Sequence, residues 1–175
     1  TSLPVSWISS YPHETARSQF YNIKIIVGIR NIFDCLISAR DMHIREKWIH
    51  GPWVTIPPNF REMSDASQLD WLIFHMAPWY LTFYERWVHS CSDRLFVHYL
   101  EWDRLGVKAV ANRIADFVGF DAEEKKVFLQ STKRVKESKS ITTRFNKGKH
   151  GQGKLFSQDH IDYVVRMATA IPDLR

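Results

Sequence analysis

Cysteine is nearly absent from this 175-residue chain: Cys35 and Cys91 are the only two. Two thiols cannot form a disulfide framework, and no His or Cys spacing matches a metal site. The sequence therefore predicts reduced thiols, a reducing compartment and no bound metal. No apolar run approaches the roughly 18 residues of a membrane span. No secretory leader pattern opens the chain, so a cytoplasmic location is expected. Internal repeats and a domain linker are missing too, and the length predicts one domain over 1–175. Acidic residues are scarce in one place only. Lys133 to Lys154 holds eight basic residues against Glu137 alone, a net +7 within a chain of +5. The remainder is then slightly acidic, so the basic segment points to a local anion site rather than a generally basic surface.

Aromatic residues are plentiful, with 7 Trp, 6 Tyr and 11 Phe. Most are expected in the core, although such rings also line pockets for flat ligands. Lys24 to Ile29 is a short apolar run of the kind buried on both faces of a parallel sheet. From Ile32 to about Trp48, Ile32, Leu36, Ala39 and His43 share one side of a predicted helix. Residues 50–60, with Gly51, Pro52, Pro57 and Pro58, read as a loop. Ser64 or Asp65 can cap a long helix carrying Leu69, Leu72, Ile73, Met76, Tyr80, Phe83 and Trp87, kinked near Pro78.

A second buried strand is predicted at Arg94 to Tyr99, followed by a helix marked by Val110, Ile114, Phe117 and Val118 and ended by Gly119. Residues 121–132 suggest a short helix, and the basic segment after it a loop with Gly148, Gly151 and Gly153. Ser157 is placed to cap a last helix with Ile161, Val164, Val165 and Ala168. Strands that each precede a helix indicate an α/β fold with a parallel sheet flanked by helices. Two strands make a thin sheet. Either residues 1–22 add another, or part of the domain lies outside this chain.

Two segments carry chemistry. Arg30 stands at the carboxyl end of the first strand, where open α/β sheets bind ligands. Its planar, permanently charged fork suits a phosphate, and the helix start behind it favours an anion. Ser38 lies eight residues on, roughly 10–12 Å along a helix, within the combined reach of an extended Arg and a phosphate. The other segment is Asn146-Lys147-Gly148-Lys149-His150-Gly151-Gln152-Gly153-Lys154. Glycines there permit close approach of backbone to an anion and lysines neutralise it. Its G-x-x-G-x-G order is not the dinucleotide fingerprint.

Together the two segments resemble the PAPS-dependent sulfotransferases, where PAPS is 3′-phosphoadenosine 5′-phosphosulfate. The run Ile25 to Ser38 is similar to that family's hydrophobic strand, Arg-Asn-Pro-x-Asp, then Ser eight residues after the Arg; Ile32 stands in the Pro position. Residues 146–154 resemble its Arg-Lys-Gly-x-x-Gly-x-Trp-Lys loop through Lys147, Gly148, Gly151 and Lys154, with Asn146 for Arg and Gly153 for Trp. The segment 94–118 with Tyr99, continuing into Gly119, is similar to the family's middle region. The resemblance thus covers about 24–171.

It implies a P-loop-kinase-like fold and transfer of a sulfuryl group from PAPS to a hydroxyl or amine acceptor without a metal. Arg30 and Ser38 would hold the 3′-phosphate, Lys147 and Gly148 would close on it from the other side, and Arg144 would replace the arginine lost at Asn146. Ser131 and Thr132 fall near the expected adenine. The family's strand and P-loop that grip the 5′-phosphosulfate have no counterpart here and are expected before Thr1. Thr1-Ser2-Leu3-Pro4 resembles Thr-His-Leu-Pro with Ser2 in place of the catalytic His, so no catalytic base is assigned; His13 is a weak substitute. That departure leaves an alternative, a catalytically inactive module that binds a nucleotide or anion. A nucleic-acid partner lacks any recognition motif. A small-molecule or glycan acceptor is expected, with its identity and the oligomeric state open.

Overall fold

The computed structural model describes residues 24–46, 55–89, 93–137 and 151–171. They are mostly helical with a small two-stranded parallel sheet, an α/β arrangement. The chain divides into two compact units, one holding residues 24–30 and 93–137 and the other 31–46, 55–89 and 151–171. Among the described residues no helix is long and apolar enough to cross a membrane.

The first unit is built on β1 (Ile25–Ile29) and β2 (Arg94–His98), paired in parallel from Ile25 with Arg94 to Ile29 with His98. Parallel pairing requires a long crossover. The expected burial on both faces does not hold: Val27 and Val97 are buried, whereas Ile26 is 40% exposed. A fully buried strand needs a packed layer on each side, and apolar composition alone does not supply one.

Tyr99 does not extend β2. It opens α4 (Tyr99–Arg104), because the His98 ring, at the N-cap, accepts the Leu100 N–H through Nδ1 at 3.1 Å. The following helix, α5 (Val107–Val118), stops at Gly119 as expected. Gly119 has φ 85°, and the N–H groups of Gly119 and Phe120 both return to the Ala115 carbonyl. Lys24 reaches the same helix end, donating to the carbonyls of Phe117 at 2.8 Å and Val118 at 3.4 Å.

Asp121 then caps α6 (Ala122–Glu137): its Oδ1 accepts from the N–H groups of Glu123 and Glu124, while the Glu124 carboxylate accepts from Asp121 N–H. The helix continues through Glu137, so Lys133 to Glu137, read as the start of a basic loop, is helical; Lys and Arg are good helix formers. Val97, Val110 and Ile114 form the core of this unit, with Leu95, Trp102, Val118 and Phe128 against it.

The second unit is helical. Its first helix, α1 (Ile32–Glu46), begins where the apolar pattern predicted. Ser64 caps α2 (Asp65–Trp71) by accepting Ser67 N–H at 3.2 Å. The buried Gln68 side chain donates to the carbonyls of Phe60 and Met63, which ties down the 3-10 turn Phe60–Glu62.

Between α2 and α3 (Ala77–His89) the helix widens into a π segment, Leu72–Met76. Where the sequence predicts a kink near Pro78, the structure has this π segment just before it. Pro78 has no N–H for the carbonyl four residues back, and advancing the ladder by one residue, as in the bond from Ala77 N–H to the Leu72 carbonyl, accommodates the gap.

The last helix, α7 (Gln158–Ala170), starts at Ser157, which exchanges hydrogen bonds with His160 in a capping box. His160 Nε2 also meets Asp70 Oδ1 at 2.7 Å, linking α7 to α2. Leu36, Ile37, Leu72, Ile73, Met76, Phe60 and Phe156 make the core of this unit. Of the aromatic stripe, Tyr80 packs against this core, and Phe83 and Trp87 are buried. Leu72→Ala would remove a fully buried side chain at the π segment. It is expected to lower stability by about 2–5 kcal/mol in denaturant-induced unfolding.

Candidate functional site

Asn31 is the first residue of the local structure around the candidate site. Its side-chain oxygen accepts the N–H groups of Phe33 at 3.0 Å and Asp34 at 3.4 Å, and its carbonyl accepts Cys35 N–H at 3.0 Å. Two of the backbone donors that the sequence reading offered to an anion are therefore already engaged by Asn31.

Asp34, in the first turn of α1, is 4% exposed. A carboxylate buried to this extent requires partners. It finds them 117 and 118 residues away, accepting Gly151 N–H at 3.4 Å and Gln152 N–H at 2.7 Å. These two donors lie at the start of the 3-10 turn Gln152–Leu155, where Gly151 takes φ 74°. A left-handed conformation of this kind costs glycine little and most other residues more.

The packing agrees with the hydrogen bonds. The Phe33 ring lies 5.2 Å from that of Phe156, and Phe156 is buried. Gly153 also rests on Phe33, and a β-carbon there would be 3.5 Å from Phe33 Cβ, an ordinary contact. A glycine at 153 is therefore not demanded by lack of space for an alanine.

The segment Ile25 to Ser38 and the glycine-rich segment 146–154 thus meet through Asp34. An acidic residue in a first helical turn is ordinary dipole compensation, so only its burial and distant partners mark it out. Ser38 lies half-buried in α1 four residues after Asp34, which places both on one helix face.

Arg30 follows β1 in the first unit, half-buried, with its guanidinium carbon 4.8 Å from the centre of the Tyr99 ring. Lys147, Gly148, Asn146 and Arg144 lie outside the described residues, as do Ser2 and His13. Ser131 and Thr132 are on α6, their hydroxyls donating to the helix carbonyls of Val127 and Phe128. Among the described residues no group of three His, Cys, Asp or Glu side chains is placed to hold a metal.

No family model, curated protein or solved structure matches the chain.

Asp34→Ala would leave the Gly151 and Gln152 donors without their acceptor. The expected loss is about 1–3 kcal/mol in stability. Faster trypsin cleavage after the exposed Lys154 should accompany it, while Asp34→Asn, which keeps one acceptor oxygen, should fall between the two.

Proposed function

We propose that this chain belongs to an enzyme that transfers a sulfuryl group from PAPS to a hydroxyl or amine acceptor, with Arg30 and Ser38 receiving the donor's 3′-phosphate. The observation that carries this reading is the Asp34 junction. Two segments that resemble sulfotransferase phosphate-binding motifs, far apart in sequence, are hydrogen-bonded to each other.

The residues suit the ligand chemically. A guanidinium offers paired N–H donors and a charge that persists at any physiological pH, and a serine hydroxyl adds a third donor. Lys147 and Gly148 are assigned to the same phosphate from the loop side. In the reaction the acceptor loses its proton to a base and its oxygen or nitrogen attacks sulfur. The bond from sulfur to the 5′-phosphate oxygen breaks as the new bond forms, and the leaving group is 3′-phosphoadenosine 5′-phosphate. Holding the 3′-phosphate fixes the donor in line with the acceptor, which lowers the entropic part of the barrier. Positive groups near the leaving oxygen stabilise its growing charge. No residue of this chain is assigned as the base.

Calorimetric titration with 3′-phosphoadenosine 5′-phosphate tests this. Binding in the micromolar range or tighter is expected. Arg30→Ala should weaken it by about tenfold or more, the loss of a charge-assisted contact, and 5′-AMP should bind the wild type correspondingly poorly. A folded protein that binds both nucleotides equally, or neither, contradicts the proposal.

A further inference from the structure

β1 and β2 run parallel with Ile29 opposite His98, so Arg30 and Tyr99 are the next residues to leave the sheet, side by side at its carboxyl edge. The chain then turns differently after each. Tyr99 becomes the first residue of α4, fixed by the Leu100 N–H bond to His98 Nδ1. Arg113 secures the same corner from α5. Its guanidinium pairs with Glu101 at 2.9 Å on α4 and donates to the Phe96 carbonyl on β2. Tyr99 is thus set on a braced strand-to-helix corner, and the Arg30 guanidinium lies over its ring, 4.8 Å from the centroid.

We infer that Tyr99 is a positioning residue for Arg30, its ring face holding the guanidinium that the proposed function assigns to the donor's 3′-phosphate. This rests on that reading of Arg30. A ring face suits the task for a chemical reason. It attracts a cation through its quadrupole and carries no net charge, so it orients Arg30 without neutralising it, as a carboxylate would. An arginine side chain also has about 2 kcal/mol of rotamer entropy to lose on ordering. A preformed stack removes part of that loss before the ligand arrives. Only the ring face enters this role, so phenylalanine is an adequate replacement for it.

Two measurements test the inference. In the proton NMR spectrum of the wild type, the Arg30 δ-methylene, assigned by its loss in Arg30→Ala, should be shifted upfield by the ring current. The shift should persist in Tyr99→Phe and vanish in Tyr99→Leu. In calorimetry, Tyr99→Leu should bind 3′-phosphoadenosine 5′-phosphate about fivefold more weakly, the size of one cation–π contact. Tyr99→Phe should match the wild type, and 5′-AMP should bind all three alike. An unshifted methylene in the wild type overturns the inference whether or not any Tyr99 variant folds. So does a Tyr99→Leu protein that binds like the wild type, or one that loses affinity for both nucleotides equally, since the ring would then touch the nucleoside. Failure of the wild type to bind 3′-phosphoadenosine 5′-phosphate, with the methylene still shifted, instead removes the phosphate role from Arg30 and Tyr99 together.

Discussion

A single buried carboxylate organises the helical unit around the candidate site. Asp34 lies out of water, and its side-chain oxygens accept from the backbone N–H groups of Gly151 and Gln152. That requirement joins the start of α1 to the turn preceding α7. Phe33 and Phe156 pack beside the junction, and Gly151 supplies the left-handed backbone that brings both donors to one side. Ser157 and His160 then start α7 immediately afterwards, with Asp70 fixing His160 from α2. Each element follows from the need to satisfy polar groups at the edge of an apolar core.

The sheet unit is organised by cations. Lys24 closes the carboxyl end of α5, Arg113 ties β2 to α4, and Arg30 lies on Tyr99. Lys24 and Arg113 serve the fold by satisfying carbonyls or pairing with a carboxylate. Arg30 lies over the face of a neutral ring.

Much of the architecture was legible in the sequence because apolar periodicity is strong. The starts of α1, α2 and α7, the glycine stop of α5 and the burial of the aromatic stripe all follow from spacing and capping chemistry. The six-residue α4 escaped because it is too short to show a period, and Tyr99 reads equally well as strand. Lys133 to Glu137 reads as loop from its charge, yet its helix-forming residues continue α6. Burial of β1 was overestimated from composition. As for the candidate site, Arg30 and Ser38 were visible as residue types suited to phosphate. Asp34 was not, since its significance depends on donors more than a hundred residues away, which no local pattern encodes.

The central claim is that the segments around Ser38 and around Gly151 serve one 3′-phosphate. Amide hydrogen exchange measured with 3′-phosphoadenosine 5′-phosphate and, separately, with 5′-AMP tests it most directly. The account predicts that exchange slows in both segments together on adding the 3′-phosphorylated nucleotide, and in neither with 5′-AMP. Slowing in one segment alone, or the same response to both nucleotides, would contradict it.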